Sequence, residues 1–321
     1  MFVFMKQIAG RPQTRQDWEL ERVFREGGPF FHLHTKPLET GVIFENDIDR
    51  AVALVYVAIA AKTAGVEILA YALMSNHFHF ILRGSEDLCW AFFDRVRARL
   101  SLYFSRHGRR GVLKTVETPD PTPITSLKQL QDEIAYVIRN PYVVRVDVNP
   151  LAYFWCSGFL YFNPLLGLVP TRATAGLTVR EKRERLQSRQ LDIPDGLSWV
   201  DGCVFPGSFV NYRLAESMFR DARQFTFTVF RNVESQVETA LRLGERPMVN
   251  DDEMLSVSLR LCRDDYGVKG PSHLSEEQKH DLARKLKFDY YASNRQIARF
   301  TTLSVATVNA FYPLSAKPSR T

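Results

Sequence analysis

Residues 66–83 read Val66-Glu67-Ile68-Leu69-Ala70-Tyr71-Ala72-Leu73-Met74-Ser75-Asn76-His77-Phe78-His79-Phe80-Ile81-Leu82-Arg83. Val66 to Leu73 is an apolar run of strand-forming residues, Ser75-Asn76 is a turn pair, and His77 to Arg83 resumes as a second strand. On a strand, residues i and i+2 share a face. His77 and His79 can therefore converge on one divalent ion while Phe78 and Phe80 pack into a core.

The pattern extends in both directions. Upstream, Thr14 to Gly27 predicts a short amphipathic helix, and Pro29 to His34 alternates as a strand. Asn46 or Asp47 can cap a helix through Val52, Val55, Tyr56 and Ile59 that stops at Gly65. Downstream, Asp87 to His107 predicts an arginine-studded helix. A further strand is expected near Val112 to Val116, and Glu117 to Pro123 reads as a stiff loop. Ser126 caps a helix to Asn140, with Pro141 just past its end. The order β-α-β-β-α plus one strand predicts an α+β fold, an antiparallel sheet with helices of the ferredoxin-like kind.

Tyr136 and Asn140 stand four residues apart on the last of these helices, which makes them neighbours on one face. They offer a phenol nucleophile beside a polar ligand. A His-x-His pair alone is weak evidence for metal. The chain holds a second copy, His32-Leu33-His34, so spacing does not choose between the two.

The 321 residues carry a formal charge of +6, which permits a polyanionic partner without demanding one. The four cysteines are scattered, with no Cys-x-x-Cys pair. That argues against a disulfide framework or a zinc finger. Met1 to Lys6 lacks the regions of a signal peptide, and Ala51 to Ala61 is too short an apolar run to span a bilayer. The expectation is a cytoplasmic, nucleoid-associated protein without a membrane partner.

Met74-Ser75-Asn76-His77-Phe78-His79 together with Tyr136-Val137-Ile138-Arg139-Asn140-Pro141 resembles the single-tyrosine HUH transposases, closest to their REP-associated relatives. Trp155-Cys156-Ser157-Gly158 looks like an altered form of that family's Trp-Ser-Ser segment. The resemblance covers roughly residues 28–165. It implies an enzyme that cuts and rejoins single-stranded hairpin DNA. Tyr136 would be the nucleophile, and His77, His79 and Asn140 would hold Mg²⁺ or Mn²⁺. Tyr142-Val143-Val144 departs from the family's usual Val-x-Ala-Gly after the helix. Members of the family include homodimers and single-chain actors, so a homodimer stays open. Two other readings remain: a non-catalytic DNA-binding regulator, or another HUH nuclease such as a replication initiator or relaxase. No P-loop supports the latter.

Residues 83–114 hold eight Lys or Arg and three acids. Arg95, Arg99, Arg106, Arg109 and Arg110, with aromatics interleaved, suit phosphate neutralisation along a single strand. The aromatics themselves fit a core face. Residues 232–265 are locally acidic. Near the C-terminus, Ser293 to Phe300, Thr301-Thr302-Leu303 and Ser304 to Phe311 predict helix, turn and helix. Arg295, Arg299, Ser304, Thr307 and Asn309 could then meet flanking duplex DNA. The expected organisation is a catalytic domain over 1–165, a helical connecting region over 166–270, and a helix-turn-helix region over 271–321.

Overall fold

The computed structural model describes residues 14–35, 42–114, 116, 119–144, 149–245 and 247–313. Contacts divide the chain into two compact units, Met1–Pro141 with Asn149–Thr226, and Tyr142–Val148 with Phe227–Thr321. The expected boundaries at residues 165 and 270 follow composition. Packing instead joins residues 166–226 to the sheet. The reading of Met1 to Lys6 lies outside the described residues.

The first unit opens with α1 (Arg15–Gly27), whose Thr14 and Asp17 close a capping box. Strand β1 (Phe30–His34) follows. In α2 (Asp47–Ala64), Asn46 Oδ1 accepts from the Asp49 amide at 3.0 Å, and Gly65 ends the helix in the left-handed conformation at φ 77°. Glycine adopts that conformation without the Cβ penalty. Val52 to Ala61 are buried all round the helix because other elements of this unit surround it.

Strands β2 (Glu67–Leu73) and β3 (Phe78–Arg83) form the hairpin expected from residues 66–83. Next come α3 (Glu86–Arg106), β4 (Thr122–Ile124) and α4 (Leu127–Val144). The four strands form one antiparallel sheet in the order β2-β3-β1-β4.

Two expectations need correction here. The described residues between 112 and 116 are turn and coil, and β4 lies at Thr122–Ile124. The strand includes Pro123, which is tolerated because β4 is outermost and pairs only with β1. Helix α4 also runs through Pro141 to Val144 instead of stopping at Asn140. Proline costs a helix one hydrogen bond, and here that loss falls in the last turn.

Register decides what each sheet face carries. Leu33 pairs with Phe80, His34 with His79, and His32 with Ile81. One face thus presents Phe31, Leu33, Phe78, Phe80 and Leu82. Phe92 and Phe93 of α3 pack on it, with Phe80–Phe92 centroids 5.2 Å apart and Phe78–Phe93 6.2 Å apart. The opposite face carries the histidines and is covered by α4.

Beyond α4 the chain returns to the outer side of β2. Leu73 N donates to Trp155 O at 2.9 Å, and Tyr71 N donates to Ser157 Oγ at 3.0 Å. Gly158 is needed there, because a Cβ would sit 2.4 Å from Pro150 O. A small second sheet follows, β5 (Arg172–Ala173), β6 (Ser198–Val200) and β7 (Cys203–Val204), with α5 (Val179–Leu186) after β5. Asn211 N donates to Ile68 O at 2.7 Å, continuing the cover of β2 just before α6 (Tyr212–Glu216). Helix α7 (Ala222–Arg231) brings Phe225 against Tyr161, with centroids 5.0 Å apart.

The second unit is helical, built mainly from α8 (Val233–Arg242), α9 (Asp251–Tyr266), α10 (Glu276–Phe288), α11 (Asn294–Thr301) and α12 (Val305–Phe311). Met254, Val257, Leu282, Leu286, Ile297 and Val308 form its core. Thr302, between α11 and α12, takes a left-handed conformation at φ 64°. Among the described residues no helix is long and apolar enough to cross a membrane.

Candidate functional site

The histidine face of the sheet joins four imidazoles that lie in two distant stretches of sequence. His77 and His79 centroids are 4.9 Å apart, His34 stacks on His79 at 5.7 Å, and His32 lies 5.4 Å from both His34 and His79. The second His-x-His copy is therefore part of the same cluster, not a remote duplicate. Strand alternation puts each pair on one face, and the β1–β3 register puts the pairs side by side.

Tyr136 on α4 faces this cluster, its ring 5.8 Å from His79 and 6.5 Å from His32. One turn later, Asn140 donates its amide nitrogen to Tyr136 O at 3.0 Å and also hydrogen-bonds His77. That second bond favours the protonated ring. On its other side, His77 Nδ1 meets Asn76 Oδ1 at 2.8 Å. The candidate residues His77, His79, Asn140 and Tyr136 are thus brought together.

Burial sets the electrostatics. It pushes His77 down to about 4, partly offset by the bond to Asn140. His79 is held well below the usual histidine range by burial first, then by repulsion from His77, His32 and His34. Both rings are neutral at pH 7, which is the form that can bind a metal ion.

Glu133, one turn before Tyr136, is fully buried beside this cluster. His32 Nδ1 lies 3.3 Å from Glu133 Oε2, and His32 Nε2 lies 3.2 Å from His79 Nδ1. Gln129 Nε2 donates to the other carboxylate oxygen at 2.9 Å. Among the described residues, no three His, Cys, Asp or Glu side chains form a group able to hold a metal ion. His32 and His79 each direct one ring nitrogen at the other, so the four imidazoles do not make a cage. The donor set that remains is two neutral imidazoles and an amide oxygen, which suits a hard divalent ion that keeps open positions.

Sequence reasoning missed Glu133 and underused His32. Glu133, Tyr136 and Asn140 recur at i, i+3 and i+7, which is one helix face. An acid on that face was the available signal. His32 could be paired with His79 only through strand register, which the sequence does not state.

The expected DNA contacts are distributed differently. Helix α3 lies across the sheet from the histidines, so the structure does not bring Arg95, Arg99, Arg106 or Arg110 to that face. Arg95 bonds Ala91 O in its own helix, Arg99 lies over the Tyr56 ring, and Arg110 bonds Ser105 Oγ. Arg106 lines a cavity of about 430 Å³ with Gln187, Ser188 and Arg189.

Arg109 differs most from expectation. It pairs with Asp49 at 2.6 Å and Glu45 at 3.1 Å, bonds Ile43 O at 2.8 Å, and covers the Phe104 ring. Its guanidinium is committed to tying α2 and the preceding segment to the end of α3. Phe92, Phe93, Tyr103 and Phe104 are core residues.

In the second unit Arg295 is exposed, and Arg299 is exposed but paired with Asp251 at 2.6 Å. Ser304 Oγ accepts from Thr307 N at 3.0 Å and so caps α12, while Asn309 Oδ1 accepts from Asn294 at 2.8 Å. No protein-family model, curated protein or solved structure matches this chain.

Proposed function

We propose that this chain is a metal-dependent single-stranded DNA endonuclease and strand-transferase of the single-tyrosine HUH type, acting at hairpin-forming ends. The observation that carries this reading is the placement of Tyr136 and Asn140 over His77 and His79. The strand order β2-β3-β1-β4, with α2 and α3 on one face, is also what a ferredoxin-like core requires.

In this mechanism Tyr136 Oη attacks a backbone phosphorus. A phosphotyrosine bond forms, the bond to the 3′-oxygen breaks, and that oxygen leaves as a hydroxyl. A tyrosine phenol has a reference pKa of about 10, so it needs help to attack at neutral pH. Mg²⁺ or Mn²⁺, held by His77, His79 and Asn140, would supply charge neutralisation at the phosphate. Asn140 braces the helix turn that carries Tyr136 through its bond to Tyr136 O. Attack by a second 3′-hydroxyl rejoins DNA without ATP, because the phosphotyrosine keeps the bond energy. Helices α11 and α12 are read as a helix-turn-helix for flanking duplex, with Arg295 and Arg299 as phosphate contacts.

A second reading is an idle site on a DNA-binding regulator. It is favoured by the burial of His79 and Tyr136, which are 0% and 8% exposed. One experiment separates the two. The full chain is incubated with labelled single-stranded hairpins from its own genomic flanks and Mn²⁺. A covalent adduct that survives denaturation is expected, and it should vanish with EDTA or with Tyr136→Phe. No adduct under any condition would favour the regulator, and an adduct in Tyr136→Phe would move the nucleophile elsewhere.

A further inference from the structure

We propose that Glu133 and His32 act as positioning residues that order protons along a Glu133–His32–His79 chain, so that His79 presents an unprotonated Nε2. The proposal rests on the reading of His79 as a metal ligand.

The ordering follows from donors and acceptors. Glu133 accepts at Oε1 from Gln129 Nε2, and its Oε2 faces His32 Nδ1 at 3.3 Å. That distance lies just beyond the ordinary hydrogen-bond range, so the carboxylate acts on the His32 ring as a close negative charge. A carboxylate can only accept, so it selects the His32 tautomer with the proton on Nδ1. Nε2 of His32 is then an acceptor, and at 3.2 Å it faces His79 Nδ1. Nδ1 of His79 must therefore carry the proton, which leaves the lone pair on Nε2. All three residues are fully buried, so bulk water does not scramble the order. A carboxylate that orients a ligating imidazole is a general device of metal sites. Here it acts through an intervening histidine.

Gln129 makes the proposal sharply testable. Its Oε1 accepts from Thr125 N at 3.0 Å and from Thr125 Oγ1 at 3.2 Å, so its amide orientation is fixed with Nε2 toward Glu133. In Glu133→Gln the new amide must turn its oxygen to Gln129 and its nitrogen to His32. His32 Nδ1 then has to accept, its Nε2 carries the proton, and His79 Nδ1 becomes the acceptor. The proton of His79 moves to Nε2, where it blocks ligation. An isosteric change at a residue that touches neither metal nor DNA should thus reverse the whole chain.

The experiment is nitrogen NMR of the histidine rings in the full-length, chelator-treated protein, followed by Mn²⁺ titration. In the parent protein His79 should show protonated Nδ1 and bare Nε2. Glu133→Gln should invert both His32 and His79 and weaken Mn²⁺ binding about 10- to 100-fold. Gln129→Leu added to Glu133→Gln frees the amide to turn and should restore part of the affinity. A parent protein with the proton on Nε2 of His79 overturns the proposal without any variant. So does Glu133→Gln with unchanged ring tautomers. If the parent shows the expected tautomers but binds no Mn²⁺, the metal reading fails and the proton order stands.

Discussion

In the helical unit, several buried polar side chains serve backbone or close a cap, and Asn294 bonds Asn309. Ser258 donates to Phe300 O, Thr301 donates to Ile297 O, and Asn250 with Glu253 forms a capping box. In the sheet unit the polar residues under α4 serve one another. His32 meets His79, Glu133 meets His32, and Asn140 reaches His77. Burying polar groups costs stability unless they are paired. A fold that needs only stability could place apolar residues under α4, as it does on the other face of the same sheet. The contrast teaches where to look for chemistry: at buried polar groups whose partners are other side chains and not the local backbone.

The largest expected effect tests the boundary of the sheet unit. A chain ending at residue 170 loses Leu186, Trp199, Phe209, Val210, Met218 and Phe225, all buried. Each contributes about 1.5–3 kcal/mol of burial, so the summed loss is as large as the roughly 5–15 kcal/mol that holds a domain together. Thermal melts by circular dichroism should show no cooperative transition, whereas a chain ending at Arg231 should keep one. A cooperative melt in the shorter chain would return the boundary to residue 165.

Next in size is a change in the helical core. Leu282→Ala, at a fully buried position, should cost about 2–5 kcal/mol in urea denaturation. It should leave Mn²⁺ binding unchanged. Loss of Mn²⁺ binding would mean that the site depends on the second unit.

Acid should act on the sheet unit through its buried histidines. His77 is held at about 4 by burial, below its unfolded value of roughly 6.5. Above 6.5 the ring is neutral in both states, and stability is unaffected. As pH falls from 6.5 toward 4, the unfolded chain takes up the proton first, so the native state loses up to about 3 kcal/mol. His79 acts in the same direction. Urea midpoints of the chelated protein at pH 7.5, 6 and 5 should fall in that order, and His77→Phe should flatten the slope. A parent midpoint constant across this range would show that His77 is not neutral through burial.

The smallest effect concerns the α12 cap. Ser304→Ala removes the bond to Thr307 N and should cost about 1 kcal/mol. If Ser304 also contacts duplex DNA, binding should weaken by more than the melt accounts for.

Much of the sheet unit was legible because its signals are local. Asn46 and Gly65 bracket α2 by capping chemistry, and alternation defines β1, β2 and β3. β4 was misplaced because Pro123 argues against a strand unless the strand is known to be outermost, and that is a fact of tertiary structure. Pro141 likewise reads as a stop, yet α4 absorbs it in its final turn. For the site, Tyr136 with Asn140 and His77 with His79 were visible as same-face pairs. What joined His32 and His34 to them was the pairing of His34 with His79, and no spacing rule encodes an interstrand register. The ion pairs of Arg109 were not legible for a related reason: its partners Asp49 and Glu45 lie about sixty residues away.

The borders of the main sheet bear on how this protein behaves when crowded. On one side, β4 is three residues long and Pro123 offers no amide hydrogen. On the other, the β2 amides of Tyr71 and Leu73 and the carbonyl of Ile68 are already taken by Ser157, Trp155 and Asn211. A free strand border is a template on which a second chain can grow a fibre. Here neither border offers a run of unused pairing groups, so the sheet resists becoming a seed for cross-chain aggregation while its histidine face stays assembled.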